Sequence, residues 1–257
     1  MTIQYSPAEV TQITTESRFD FHPQGRLLLF VGHAHSGHSL VGALLDAHPE
    51  VCLANEVNVV KLVQEQKLEP KAIERVLHHA YLNNPSGWKN SAYYYNLKNG
   101  SQGHCENPIV MGDKKAGGST RIIHNHPEVL HHLLDCYGER LRFLFVERNP
   151  LDIIAAYSHY MQQPPSAFHV NRYNENLKTV KWIEGQVASD QWLTIKQDTF
   201  VHHPYDEIIK VFDYLGVDVS EHEPSIKDWV SVVRSDIPGK SAAITIPDSL
   251  QRQIVQP

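Results

Sequence analysis

The amino-acid sequence predicts a three-layer α/β fold, in which helices flank a central parallel sheet on both faces. Short apolar runs alternate along the chain with segments of helical period, and this is the pattern of repeated βαβ units. Neither an internal repeat nor a low-complexity tract interrupts the alternation. With 257 residues, of which 41% are hydrophobic and 20% charged, the chain suits a single domain over residues 1–257.

The positions of these runs give the order of the elements. Each predicted strand is an apolar run too short for a helix and closed by glycine or polar residues. The predicted strands are 27–31, 51–54, 109–112, 141–146 and 192–196. The predicted helices are one that begins at Ser39, then 57–82 with a break at Pro70, 127–137, 151–162, 170–188 and 204–215.

Two segments lie outside this alternation. Residues 1–25 are polar, and we interpret them as a short lead-in to the first strand. Residues 83–108 are rich in Asn, Gly and Ser and include three consecutive tyrosines. A loop of this length in a compact domain is usually functional or disordered, and its aromatic residues favour a loop that lines the substrate site.

The charge balance and the histidines exclude several classes of function. A net charge of −6 at pH 7 argues against a broad nucleic-acid surface, although a phosphorylated cofactor needs only a local basic pocket. The 17 histidines form neither an HExxH motif nor a Cys/His zinc spacing. We therefore predict no metal site and no nucleic-acid partner.

Cysteine usage and the N-terminal sequence indicate the compartment. The three cysteines, Cys52, Cys105 and Cys136, are isolated in the sequence, which fits a reducing environment. The N-terminus lacks the basic and apolar regions of a signal peptide, and no later run approaches about 18 apolar residues. We therefore expect a cytoplasmic protein with no membrane partner.

The first predicted strand leads into a glycine-containing turn, residues 32–37, and then into a helix. This arrangement presents backbone N–H groups and the positive end of a helix dipole to an anion, and the hydroxyls of Ser36 and Ser39 add donors. The spacing of GxxxxGK[ST] is met by Gly32, Gly37 and Ser39, but His38 replaces the lysine. An ordinary βα turn is the alternative for this segment alone.

Three further polar positions follow predicted strands. Glu56 and Lys114 each come after a short strand, and Arg148 follows the strand 141–146. The carboxyl ends of parallel strands meet at one edge of the sheet, where open α/β sheets hold their ligands. The local sequence also allows a structural interpretation of each position. Glu56 would be a surface carboxylate, and Lys114 and Lys115 would form a solvated, charged turn. Arg148 would belong to a turn whose role is to start the next helix.

Residues 26–56 resemble the 5′-phosphosulfate loop of sulfotransferases that use 3′-phosphoadenosine 5′-phosphosulfate (PAPS). The segment 45–51 is similar to the tyrosylprotein sulfotransferases, and the residues in register with the family are Gly32, Ser36, Gly37, Ser39, Leu44, Leu45, His48 and Pro49. His35 stands where the family has arginine or lysine, and His38 where it has threonine. The resemblance spans about residues 26–245 and implies a P-loop NTPase-like sulfotransferase fold.

The resemblance also implies roles for individual residues. Glu56 lies eight residues past His48, the position of the catalytic glutamate in tyrosylprotein sulfotransferases, and would be the general base. Lys114 and His35 would stabilise the departing phosphate, with Lys115 as an alternative to Lys114. An anion near His35 would raise its pKa and favour the imidazolium.

Donor binding is implied for a larger set of residues. Arg148 resembles the family's 3′-phosphate ligand, but the serine eight residues later is Ala156 here. Ser158 is nearby, yet lies about 200° further round a helix than Ala156. The candidate donor-binding residues are His35, Ser36, Gly37, His38, Ser39, Arg148, Ser158, Arg234, Ser235 and Lys240.

The predicted function is sulfotransfer from PAPS to a hydroxyl or amine of a small-molecule acceptor, with 3′-phosphoadenosine 5′-phosphate (PAP) as the product and no metal. Two alternatives remain open at this level. One is a non-catalytic nucleotide-binding protein on the same fold, which His35, His38 and Ala156 would fit. The other is a P-loop kinase-like phosphotransferase, which the missing loop lysine weakens.

Overall fold

The computed structural model of the protein describes residues 5–83, 97–233 and 243–257. Its sheet has five parallel strands in the order β2-β3-β1-β4-β5. The strands are β1 Arg26–Val31, β2 Val51–Asn55, β3 Val110–Lys114, β4 Leu141–Glu147 and β5 Trp192–Lys196. The predicted three-layer α/β fold with a central parallel sheet is confirmed.

Twelve α-helices occur in the described parts of the chain. They are α1 Pro7–Glu16, α2 His38–Leu45, α3 Val59–Gln66, α4 Pro70–Leu82, α5 Ala116–Asn125, α6 Glu128–Tyr137, α7 Pro150–Met161, α8 Ala167–Glu184, α9 Gln197–His202, α10 Pro204–Leu215, α11 Glu223–Val230 and α12 Asp248–Gln251. Pro70 begins α4, so the predicted break within 57–82 is confirmed. Short 3₁₀ turns, Gly138–Arg140 and Ser189–Gln191, precede β4 and β5.

The polar lead-in before β1 contains a helix that the sequence analysis did not predict. Ser6 caps α1, because its hydroxyl accepts from the N–H of Glu9 and the Glu9 carboxylate accepts from the N–H of Ser6. Arg75 on α4 fixes the segment by donating to the carbonyls of Thr14, at 2.6 Å, and Phe19, at 3.2 Å. The lead-in over residues 1–25 therefore contains a capped helix that packs against α4.

The sheet separates two apolar cores, because successive residues of a strand point to opposite faces. On β1, Leu27, Leu29 and Val31 belong to the core beneath α3 to α8, and Leu28 and Phe30 belong to the core beneath α2, α10 and α11. All five side chains are at most 1% exposed. Burial on both faces explains why the strand reads as a continuous apolar run.

The position of β1 in the sheet brings distant segments together. β1 pairs with β3 on one side and with β4 on the other, with Leu29 opposite Asp113 and Val31 opposite Phe145. The loops that follow β1, β3 and β4 therefore meet at the same edge, and β2 adds a fourth loop beyond β3. Among the described residues, no helix combines the length and apolar character needed to cross a membrane.

Candidate active site at the carboxyl edge of the sheet

The loop after β1 has the backbone of an anion-binding turn. We call residues 32–37 the corner loop. Gly32, His35 and Gly37 have φ angles of 119°, 66° and 96°. Gly37 is the N-cap of α2 and forms no side-chain capping bond. The first N–H groups of a helix have no intrahelical partner, so the N-terminus of α2 offers free donors at this edge.

Helix α5 fixes the position of the corner loop. The N–H of Gly32 donates to Thr120 Oγ1 over 2.7 Å, and this hydroxyl donates to the carbonyl of Ala116 over 3.0 Å. Gly117 lies so close to the loop that a Cβ at this position would be 2.9 Å from the backbone N of Ala34. The glycine thus permits a backbone-to-backbone contact that a side chain would prevent.

His33 anchors the corner loop to α7 and α8. Its ring stacks on Tyr173 with centroids 4.4 Å apart and planes 8° apart, and its Nδ1 lies 3.3 Å from the hydroxyl of Tyr157. Burial lowers the pKa of His33 to about 3. The imidazole is therefore neutral near pH 7 and acts as a packing residue.

His38 occupies the position of the missing loop lysine, and it is neutral. Its ring is 8% exposed, and its Nδ1 lies 3.0 Å from Ser36 Oγ. Burial lowers its pKa to about 3, and the nearby charge of Lys114 acts in the same direction. Ser36 is buried and Ser39 half-buried. The corner loop therefore provides hydroxyl and N–H donors, with no cation at position 38.

His35 is half-buried and faces α7, with its ring centroid 5.3 Å from that of Tyr160. Burial lowers its pKa, and the charges of Arg148, Arg172 and His159 lower it further, whereas Glu56 acts in the opposite direction. The sequence-based expectation of a raised pKa assumed a bound anion. In the protein alone the pKa shifts the other way, and the imidazole is neutral.

Arg148 joins the end of β4 to the corner loop. Its Nη1 donates to the backbone carbonyl of His35 over 2.8 Å, and its Nε lies 3.6 Å from a carboxylate oxygen of Asp152. The side chain of Asn149 caps α7 by accepting from the N–H of Leu151 at 2.9 Å. The loops after β1 and β4 are therefore in direct contact at this edge of the sheet.

Glu56 lies between two lysines at the other side of the corner loop. Its carboxylate forms ion pairs with both Lys114 and Lys115. The Glu56 side chain is 24% exposed, that of Lys114 only 3%. Burial raises the pKa of Glu56, but the two lysines outweigh it and lower the pKa to about 2. Glu56 is therefore ionised, and both Lys114 and Lys115 remain predicted to stabilise a departing phosphate.

Asp113 supports the turn that carries Glu56, and the sequence analysis did not identify it. The carboxylate is fully buried and accepts from the N–H groups of Val57, at 3.2 Å, and Val59, at 2.8 Å. Glu56 and Asn58 have φ angles of 68° and 58° in this turn. Burial raises the pKa of Asp113 to about 7. An acidic residue inside a buried strand was the signal available in the sequence.

The remaining predicted residues lie apart from this arrangement or outside the described chain. Ser158 is 2% exposed, and its hydroxyl donates to the carbonyl of Gln163 at the end of α7. Arg234, Ser235 and Lys240 lie outside the described residues, as do residues 84–96 of the predicted substrate-lining loop. Within the described chain, no group of three or more His, Cys, Asp or Glu side chains could hold a metal ion.

The chain is an α/β protein whose parallel sheet carries a glycine loop, basic residues and a glutamate at its carboxyl edge. Residues 28–221 match the sequence model of the Sulfotransferase family, so the chain belongs to this family. The family assignment made from the corner loop and its flanking motifs is confirmed. A search among curated proteins finds no match to the chain.

Solved sulfotransferase structures share the fold at low sequence identity. The sulfotransferase domain of the Synechococcus PCC 7002 olefin synthase is 15% identical, with a TM-score of 0.53 over 91% of this chain and 93% of that domain. Sulfotransferase STF9 from Mycobacterium avium is 11% identical, with a TM-score of 0.55 over 96% and 77%. A sulfotransferase from Alicyclobacillus acidocaldarius is 15% identical, with a TM-score of 0.50 over 91% and 90%. These likenesses support the fold.

Proposed function

We propose that this protein transfers a sulfuryl group from PAPS to a hydroxyl or amine of a small-molecule acceptor and releases PAP. The observation that carries the proposal is the contact of Glu56 with Lys114 and Lys115 beside the uncapped N-terminus of α2. A carboxylate base, two cations and a set of N–H donors are the groups that a sulfuryl transfer requires.

The residues at this edge fit the donor. PAPS would supply the sulfuryl group and the phosphate that leaves with the nucleotide. The N–H groups at the start of α2, with the hydroxyls of Ser36 and Ser39, would hold the 5′-phosphosulfate, in the manner of other helix N-termini that bind phosphate. Arg148 would hold the 3′-phosphate by a charge-assisted contact. Ser158, Arg234, Ser235 and Lys240 stay predicted donor-binding residues.

Glu56 would accept the proton of the acceptor, and Lys114 would stabilise charge on the departing phosphate. A carboxylate with a pKa near 2 is a weak base. A lysine that turns from Glu56 towards a phosphate oxygen removes one of the ion pairs that lower this pKa. Glu56 therefore becomes a stronger base when its lysines engage the donor, and the two events are linked through the same ion pairs.

The acceptor class follows from charge. A net charge of −6 disfavours a polyanionic acceptor, so we propose a neutral or cationic small molecule with a hydroxyl or amine. The free thiols of Cys52, Cys105 and Cys136 fit a reducing cytoplasm. A nucleic-acid partner is not part of the proposal, because a net charge of −6 argues against a broad basic surface.

A mutation at Glu56 tests the proposed function. PAPS is offered with a panel of small hydroxyl and amine compounds, and mass spectrometry detects the gain of one SO₃ unit. We expect Glu56→Ala to lower turnover about 100- to 10,000-fold, the range of general-base catalysis. Calorimetry should show that the variant binds PAP at least as tightly as the wild type, because loss of the carboxylate releases Lys114 and Lys115 from their ion pairs.

Glu65→Ala is the matched control, because Glu65 on α3 is exposed and only pairs with Lys61 across one helical turn. Its turnover should equal that of the wild type. Full activity of Glu56→Ala would disprove the assigned base.

A non-catalytic nucleotide-binding protein is the second candidate, and one observation favours it. His35 in the corner loop and His38 at the start of α2 are both neutral, so neither supplies the positive charge that the family motif has at position 35. A wild-type protein that binds PAP yet sulfates no acceptor would support this candidate. The neutral His38 also weakens a kinase-like phosphotransferase, whose loop lysine reaches the β- and γ-phosphates.

A further inference from the structure

The corner loop lacks a fixed positive charge, although the group proposed to bind there is doubly anionic around its phosphate and sulfate. His35 and His38 occupy the basic positions of the loop motifs, and both imidazoles are neutral in the protein. Lys114 approaches from β3, on the side of Glu56, and forms an ion pair with it. We therefore expect another cation on the side of the loop that faces α7 and α8, where it would balance the negative charge of the donor's phosphosulfate.

Arg172 on α8 is the cation that the fold brings to this side. It is half-buried, and its guanidinium carbon lies 5.0 Å from the centroid of the Tyr157 ring. The hydroxyl of Tyr157 lies 3.3 Å from Nδ1 of His33 in the corner loop. The same hydroxyl accepts from Nδ2 of Asn176, one turn further along α8, at 3.4 Å. Tyr157 thus connects Arg172 to the loop.

A second contact fixes the same part of α8 against the loop. Tyr173, the neighbour of Arg172 in the chain, stacks on the ring of His33 at 4.4 Å. Tyr173 is 1% exposed and His33 is also 1% exposed, so the contact is part of the core. The backbone of α8 next to Arg172 is therefore held rigidly relative to the corner loop.

The charge of Arg172 acts on the corner loop. It lowers the pKa of His35, together with burial and the charges of Arg148 and His159. Within the described parts of the chain, Arg172 forms no ion pair with a carboxylate, whereas Arg148 has Asp152 at 3.6 Å. An arginine that packs on an aromatic ring and has no described acidic partner keeps N–H donors available for the oxygens of a phosphate or sulfate group.

We propose that Arg172 is a donor-binding residue, which supplies to the 5′-phosphosulfate the fixed positive charge that the corner loop lacks. This inference rests on the proposed function, because it assumes PAPS as the donor. Arg172 and Lys114 then hold the phosphosulfate from opposite sides of the corner loop. His35 between them remains neutral and donates a hydrogen bond without charge.

The alternative is a structural arginine that only covers the Tyr157 ring with its aliphatic stem. The two roles differ in what a mutation changes. A structural role affects stability and lowers the affinity of every nucleotide to the same extent. A donor-binding role affects nucleotides according to whether they carry a 5′-phosphate.

The test compares two nucleotides by calorimetry on the full-length protein. PAP carries both phosphates, and adenosine 3′-phosphate carries only the one assigned to Arg148. We expect Arg172→Gln to weaken PAP binding about 10- to 100-fold, the range for a lost charged hydrogen bond. Binding of adenosine 3′-phosphate should change less than about twofold. Arg172→Lys, which keeps the charge and the stem, should retain most of the PAP affinity.

Lys178→Gln is the matched control, because Lys178 is an exposed cation on the same helix. Its PAP affinity should equal that of the wild type, which separates a local contact from the loss of net charge. Equal weakening of both nucleotides in Arg172→Gln, or no weakening of PAP, would overturn the inference while the proposed function stands. A wild-type protein that binds neither PAP nor PAPS would overturn both.

Discussion

The buried side chain of Asp113 fixes the turn that carries Glu56. Glu56 and Asn58 both adopt left-handed backbone conformations, which are uncommon for residues other than glycine. The Asp113 carboxylate accepts the N–H groups on the far side of this turn and so ties it to the end of β3. Lys114 follows Asp113 directly, so the turn and the lysine are fixed relative to each other. Asp113 is a positioning residue for Glu56.

The pH dependence of stability tests this role. The folded pKa of Asp113, about 7, lies above its usual value of 3.8, so the native state binds more protons between these limits. The contribution of the Asp113 carboxyl to the free energy of unfolding is fully present below about pH 4. This contribution is lost as the pH rises through 7. We expect the free energy of unfolding of the wild type to fall relative to Asp113→Asn by up to about 4 kcal/mol between pH 4 and 7.

Urea unfolding at several pH values measures this difference. Asp135→Asn, an exposed acid on α6, is the control and should track the wild type at every pH. A constant gap between wild type and Asp113→Asn across pH 4–7 would contradict the assigned titration.

At the level of elements, α5 controls the shape of the corner loop. It packs against β1 and α8 and carries the hydroxyl that receives the N–H of Gly32. Its sequence, AGGSTRIIHN, contains two glycines in the first turn, which disfavour a helix by about 1 kcal/mol each relative to alanine. Tertiary packing therefore compensates for a poor intrinsic propensity, and close approach to the loop requires one of the glycines.

Gly117→Ala tests the requirement. The alanine improves helix propensity, but its Cβ would lie 2.9 Å from the backbone N of Ala34 and would displace the corner loop. We expect turnover to fall at least about tenfold, because small displacements of positioned groups cost large factors in rate. Gly185→Ala is the control, since its Cβ would meet only ordinary contacts at 3.5 Å. Unchanged turnover in Gly117→Ala would show that the loop tolerates the shift.

The sequence was a good guide to the strands and a partial guide to the helices. Strands β1 to β4 are buried on both faces, so they appear as short apolar runs, whereas β5 at the edge of the sheet is only partly buried. Helix α1 was missed although its capping residues, Ser6 and Glu9, are visible in the sequence. Helix α5 was missed for a different reason, because packing rather than propensity or periodicity stabilises it.

The candidate site was predictable where residues follow strands. Glu56, Lys114 and Arg148 each lie two residues beyond the end of a predicted strand, so parallel pairing alone brings them to one edge. Asp113 was not found because its hydrogen-bond partners, Val57 and Val59, lie 56 and 54 residues away in the chain. Arg172 was not found because its partner, Tyr157, lies on a different helix. Such contacts depend on how helices pack, which local sequence patterns do not specify.

At the level of the whole molecule, local charge and net charge have opposite signs. The chain carries −6 overall, yet Lys114, Lys115 and Arg148 lie at the carboxyl edge of the sheet. The proposed function predicts that this local positive charge attracts a nucleotide anion despite the negative net charge. The binding energy should appear as stabilisation of the folded state.

Thermal unfolding with PAP tests this expectation. At a PAP concentration of about 100 times its Kd, we expect stabilisation of about 2.7 kcal/mol. For a chain of this size that corresponds to a rise in Tm of roughly 5–10 °C. Addition of EDTA should leave the rise unchanged, because lysine and arginine supply the positive charge. A rise that appears only with Mg²⁺ would contradict the proposed site, and adenosine without phosphate is the control ligand.

The hydrogen bond from Arg148 to residue 35 has an evolutionary consequence. The acceptor is a main-chain carbonyl, which every amino acid possesses, so the junction between the two loops survives any change of side chain there. Only the left-handed backbone at this position, with φ 66°, restricts which residues fit. Arginine, lysine and histidine can therefore replace one another at position 35 during evolution. Such a replacement changes the charge at this edge of the sheet and keeps the hydrogen bond between the two loops.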